Sequence, residues 1–123
     1  MKRLNPEKMT IDELVERFAT IAIEQDRALL YSEIAEYNRL YERMMEVREE
    51  LKSRFNDQRR ALLRLYEHPN WQVRLMAAHA TLAIEPEAGR GMLETIAASK
   101  HYPQAGDAGM SLDNLDRGVY KPK

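Results

Sequence analysis

The chain has 123 residues, with 19 Lys or Arg against 20 Asp or Glu, a net charge of −1 and no cysteine. Disulfides, thiolate metal sites and cysteine nucleophiles are excluded. The even charge balance, 12 basic and 13 acidic residues over positions 1–60 and 7 of each over 61–123, offers no positive field of the kind that nucleic-acid binding draws on.

The length suits a single domain, expected over 1–123, with a core that needs no metal or cross-link. Lys2 and Arg3 open the chain, but Asn5, Pro6, Glu7 and Lys8 follow in place of an apolar run, so no signal peptide is expected. No window approaches the ~20 apolar residues that span a bilayer. The expectation is a soluble, cytoplasmic protein with no membrane partner and no nucleic acid. Helical periodicity dominates, and no run alternates as a strand would.

Thr10 and Glu13 form a capping-box pattern that starts the first helix. Ile11, Leu14, Val15, Phe18, Ile21 and Ala22 make its apolar stripe. A second pattern follows, with Ile34, Tyr37, Tyr41, Met44 and Leu51 on one face and Leu40 and Val47 beside them. Its spacing is heptad-like until Arg48 breaks it, which fits a long amphipathic helix packed on its own domain better than a dimer seam. No Gly or Pro decides whether the chain bends or runs on through residues 25–31. These long helices are assigned to 10–54.

After Phe55-Asn56-Asp57 the pattern resets. A short helix with Leu62, Leu65 and Tyr66 on one side ends at Pro69, and Asn70 is placed to cap the next. That next helix has two apolar arcs, Val73, Met76, Ala77, Ala80 and Ile84 against Trp71, Leu75, Ala78 and Leu82. Arg74 with Thr81, and Gln72 with His79, fill the narrow polar strips between them. A helix apolar on two sides belongs inside a stack. Pro86 opens a further helix with Ala88, Met92, Ile96 and Ala97 inward. A loop over "SKHYPQAG" precedes a last short helix from Asp107, stopped by Gly118. The pairs are assigned to 56–84 and 86–118.

The segment "LLRLYEHPNWQVRLMAAHATLAI" resembles a HEAT repeat of the armadillo-like superfamily, through Leu62-Leu63, Pro69 in the turn, Val73-Arg74, and Ala77-Ala78 with Ala80. "EPEAGRGMLETIAASKHYPQAGDAGMSL" resembles a degenerate second repeat. "LVERF", "EQDRALL" and "AGDAGMSLDNLDRG" make the whole chain similar to a small bacterial family of unknown function with HEAT-like helices. The resemblance implies an all-α fold of about six helices, paired antiparallel in a short right-handed stack. It also implies an acidic partner for Arg74 in the preceding turn. Here that turn carries His68 and Asn70, so the partner has to come from elsewhere, with Glu67, Glu94 and Asp107 the candidates.

No catalytic, cofactor or metal site emerges. His68, His79 and His101 match no zinc spacing, and each suits a turn or a helix edge. "AGRG" at 88–91 lacks the strand and the lysine of a phosphate loop, and suits a close helix–helix contact. The carboxylate pairs, such as Glu46 with Glu49 and Glu50, lie opposite apolar stripes as solvated faces. Arg74 and Asp107 are the candidates for a polar contact between helix pairs, the alternative for Arg74 being a groove position where it holds a carboxylate or phosphate, and Tyr102 and Tyr120 are the candidate interface aromatics. The function expected is binding of another protein. The alternatives are a homodimer joined through the second helix and an immunity-type binder of a toxin, with an enzyme last.

Overall fold

Capping, stripe and turn signals become five α-helices and two 3-10 segments in a computed structural model that describes residues 5–123. Lys2 and Arg3, the charges that open the sequence, lie outside the described residues. Among the described residues there is no strand, and no helix is long and apolar enough to cross a membrane. The fold is all-α with packed helix pairs. It divides into two compact units, Met1–Ala61 and Leu62–Lys123.

The first unit is a helical hairpin. Helix α1 spans Ile11–Leu30 and α2 spans Ile34–Ser53, and the two pack along each other. The capping box forms: the Thr10 hydroxyl accepts from the Glu13 N–H at 3.1 Å, and the Glu13 carboxylate accepts from the Thr10 N–H at 2.8 Å. The stripe of Leu14, Val15, Phe18, Ile21 and Ala22 is buried and continues through Gln25 and Ala28. Residues 25–30 therefore run on as helix. The break comes just after, where Ser32 takes a left-handed backbone with φ 56° and the Glu33 N–H reaches back to the Ala28 carbonyl at 2.8 Å.

The expected stripe of α2 is corrected. Leu40, Met44, Val47 and Leu51 are the buried residues, whereas Ile34 and Tyr41 are exposed and Tyr37 is half-buried. At about 100° per residue the two sets occupy neighbouring arcs of the helix. One packed helix covers only one arc, and α1 covers the set with the unbroken 4-3-4 spacing.

The Arg54 guanidinium closes the hairpin's open end. It donates to the Glu50 carboxylate and to the Met9 and Pro6 carbonyls, at 2.8 and 3.3 Å for the two carbonyls. Pro6 belongs to a 3-10 turn, Pro6–Lys8, held to α2 in this way.

Asn56 and Asp57 follow, both left-handed, at φ 63° and 51°. They lead into the second 3-10 segment, Gln58–Glu67, where the sequence suggests an α-helix. The reason for the tighter winding lies in the buried positions. Arg59, Leu62 and Leu65 recur every third residue, which a helix of 3.0 residues per turn sets in one line. Arg59 is 3% exposed, and its Nε and Nη2 donate to Asp57 at 2.9 and 2.6 Å. Its Nη1 has no hydrogen-bond partner among the described residues. The side-chain hydrogen bond from Arg59 holds the Asp57 carboxyl below the ordinary carboxylate range, against the opposing effect of burial.

In the second unit α3 (Trp71–Thr81) packs on α4 (Pro86–Ala98), α4 packs on α5 (Gln104–Asp116), and α3 also meets α5. Asn70 caps α3, its side-chain oxygen accepting from the Gln72 and Val73 amides at 2.8 and 3.1 Å. Both apolar arcs of α3 are buried, through Val73, Met76, Ala77 and Ala80 on one and Leu75, Ala78 and Leu82 on the other. In α4 the buried residues are Gly89, Met92, Leu93 and Ile96, while Ala88 is exposed. Helix α5 starts at Gln104, three residues earlier than expected, because Gln104 and Ala105 are themselves buried. Gly118, at φ 72°, ends the last turn, and the amides of Val119 and Tyr120 donate to the Asn114 carbonyl at 2.9 and 3.1 Å.

The two glycines of "AGRG" play opposite parts. A Cβ at Gly89 would meet Leu82 Cδ2 at 2.8 Å and Leu82 Cα at 3.2 Å, whereas one at Gly91 would meet nothing within 4 Å. Gly89→Ala is expected to destabilise the protein by about 1–2 kcal/mol despite the better helix former. Gly91→Ala is expected to stabilise it by about 0.5–1 kcal/mol. Thermal melts of the two variants read the contrast directly. Asp57→Asn should melt lower than the native chain at neutral pH. Because the folded carboxyl titrates lower than the unfolded one, that advantage is lost as pH falls through the folded value, and the two melts should converge in acid.

Candidate functional site

Helix α3 is buried on both apolar sides, so each polar side chain in its strips has to be satisfied by a neighbour. Gln72 and Thr81 are fully internal. The Gln72 side-chain oxygen accepts from Gln104 Nε2 at 2.9 Å, which ties the start of α3 to the start of α5. The Thr81 hydroxyl donates to the Ala77 carbonyl at 2.8 Å and meets the Tyr66 hydroxyl at 2.5 Å, which ties the end of α3 to the 3-10 segment. Burial raises the Tyr66 phenol above its ordinary pKa. The Thr81 hydrogen bond opposes that shift and the Glu85 charge adds to it.

His79 is the centre of a larger cluster. Its Nδ1 lies 3.1 Å from the Tyr120 hydroxyl, and its Nε2 lies 3.3 Å from Asp107 Oδ1 and 3.4 Å from Ser111 Oγ. Ser111 Oγ also donates to Asp107 at 3.4 Å. Asp107 and Ser111 sit one turn apart on α5 and face His79 together. A carboxylate only accepts, so the hydrogen of the neutral imidazole belongs on Nε2, and Nδ1 accepts from Tyr120. This arrangement differs from a serine nucleophile with its base. There the serine and the orienting carboxylate use opposite ring nitrogens, whereas here both use Nε2. What the cluster does chemically is fasten the C-terminal tail and α5 to α3.

Arg74 stands apart from that cluster. Its Nε donates to the His68 carbonyl, and its guanidinium carbon lies 4.6 Å from the centre of the Trp71 ring. The Trp71 ring in turn stacks with His101 at 5.7 Å and 30°. His68 Nδ1 accepts from the Asn70 N–H at 3.0 Å, which fixes the turn that presents the carbonyl. No carboxylate pairs with Arg74 among the described residues. Glu94 instead lies near Arg90, which bridges to Asp116 on α5 at 2.9 Å.

Of the four site residues read from sequence, Asp107 and Tyr120 come together, through His79. Arg74 hydrogen-bonds to neither, and its partner is the His68 carbonyl in place of the candidate acids Glu67, Glu94 and Asp107. Tyr102 is exposed in the turn before α5. His79 and Ser111 were not singled out as site residues. The placement of His79 in a polar strip and the four-residue step from Asp107 to Ser111 are the available signals, but each concerns its own helix alone.

An acidic hollow of about 540 Å³ in the first unit is lined by Asn5, Pro6, Glu7, Glu46, Glu49, Glu50 and Ser53. Glu49 is exposed and pairs with Arg48, as expected of a solvated face, whereas the Glu50 side chain is only 17% exposed and is held by Arg54.

A family model described as a domain of unknown function, DUF2019, matches residues 12–116. The crystal structure of the protein RPA1889 from Rhodopseudomonas palustris CGA009 is 54% identical and superposes with a TM-score of 0.94, over 98% of this chain and 100% of that one. No curated protein matches the chain.

Tyr120→Phe removes the hydroxyl on His79 while keeping the ring. It is expected to cost about 1 kcal/mol. The amides of Val119 and Tyr120 should exchange faster with deuterated water, while those of α3 and α4 keep their protection.

Proposed function

Because the chain belongs to the DUF2019 family of domains of unknown function, whose description carries no activity, we propose its role from the surface its helices leave uncovered: it is a protein-binding module rather than an enzyme. One observation carries this reading. At the turn between α1 and α2, Leu30, Tyr31 and Ile34 are 76%, 64% and 73% exposed, and Tyr41 further along α2 is 45% exposed. Scattered apolar residues on a surface need no explanation, but four large ones on one end and one arc of a hairpin form a patch. Covering Leu30 or Ile34 on a partner would contribute roughly 1.5–3 kcal/mol each.

The even charge supports a protein partner over a nucleic acid. The absence of cysteine fits a cytoplasmic setting. A HEAT-like reading of the second unit is supported by Pro69 in its turn and by Val73-Arg74 in the first turn of a helix buried on both sides. A second copy of the chain is the alternative partner. It is favoured by Ile34, Tyr37 and Tyr41 sharing one arc of one helix, which a two-fold axis would set against itself.

Both readings meet one experiment, capture from native lysate with the wild type and Leu30→Glu/Ile34→Glu, alongside light scattering. The substituted side chains are exposed, so helical circular dichroism should be unchanged. A monomer whose captured protein is lost in the double variant supports the first reading. A dimer that the double variant converts to a monomer supports the second. Capture and mass both insensitive to the double variant would overturn the assignment of this surface.

A further inference from the structure

We propose that Arg74, laid on the ring of Trp71, is the seat for a carboxylate that the partner protein presents, as an acidic side chain of its bound segment. The inference rests on the binding reading above and names the chemistry of one contact. A guanidinium carries five N–H donors in a rigid fork. In Arg74 the Nε–H is used by the His68 carbonyl, and the Trp71 ring lies against the guanidinium. These two restraints fix the plane and direction of the group. The Nη1 and Nη2 hydrogens are left without a protein acceptor among the described residues. They form the end of the fork, which matches the two oxygens of a carboxylate with parallel hydrogen bonds.

The surroundings favour the same ligand. Arg74 is half-buried, so its charge is less screened than that of a free surface arginine. Glu67, next to His68, makes no hydrogen bond or ion pair with it among the described residues, and Asp107 is engaged by His79. His101, itself exposed, stacks on the Trp71 ring that carries the guanidinium, so the ring is held from a second segment of the chain. A fork held in place before binding spends less of its interaction energy on ordering the side chain. That separates this arginine from the charge-paired Arg54, Arg59 and Arg90.

Trp71 is the only tryptophan, so its fluorescence reports on this site in the full chain. The probe is a blocked hexaglutamate peptide, with blocked hexalysine and inorganic phosphate as comparisons. Hexaglutamate should change the emission saturably, weaken as salt rises, and bind roughly tenfold more weakly to Arg74→Lys, which keeps the charge and loses the fork. Arg74→Gln should abolish the change and hexalysine should produce none. The proposal is overturned if the wild type shows no saturable change, or if Arg74→Lys and Arg74→Gln bind as the wild type does. It is also overturned if phosphate saturates the signal more tightly than the peptide, which would make the seat one for phosphate. Should Arg74→Gln lose its helical signal, the wild type and Arg74→Lys decide. The titration needs no lysate partner, so its failure leaves the exposed patch of the first unit untouched, and failure of lysate capture leaves the titration standing.

Discussion

The second unit is organised by the burial of α3 on opposite sides. A helix in that position keeps its own backbone satisfied, but any polar side chain on it loses water and has to be repaid by a neighbour. The partners of those side chains therefore decide which other parts of the chain are held, and where. Gln72 holds the start of α5, Thr81 holds the 3-10 segment through Tyr66, and His79 holds the middle of α5 and the tail. Three polar side chains on one helix thus place three separate segments, the 3-10 segment, α5 and the tail.

Arg74 differs from these three in having more donors than its neighbours use. Gln72, Thr81 and His79 are met within the unit, and the closure there is structural. The Nη1 and Nη2 hydrogens of Arg74 keep no protein acceptor among the described residues. In the first unit the surplus is apolar: α1 covers the Leu40–Leu51 arc of α2, and the neighbouring arc with Ile34 and Tyr41 keeps its exposed surface. The surplus is thus apolar in the first unit and cationic in the second.

Much of this was legible in the residues. Capping by Thr10 and Asn70, the stop at Pro69, the stripe of α1 and the two-sided burial of α3 all follow from local rules, and each forms where the sequence puts it. The miss on α2 has a different origin. Periodicity shows that a helix has apolar arcs, but which arc is covered depends on where the packed helix lies. The 3-10 segment was legible in principle, since Arg59, Leu62 and Leu65 repeat by three, but an arginine does not count as an inward residue until its carboxylate is seen beside it. The His79 cluster was not legible, because it joins residues 28, 32 and 41 positions apart in sequence. The partner of Arg74 was hidden for a related reason: a search for acids overlooks a backbone carbonyl and a ring face.

The tight winding of Gln58–Glu67 has a consequence for how such a chain can change over time. An α-helix gives a lengthened segment several registers that nearly restore its face. A 3-10 helix, with three residues per turn and about 2 Å of rise each, gives only one. A single added residue swings everything beyond it by about 120°, and only a third brings Leu62 and Leu65 back into line with Arg59, now some 6 Å further along. The segment acts as a ruler marked in threes, and lineages that carry it should vary in length beside it, in the turns, before they vary within it.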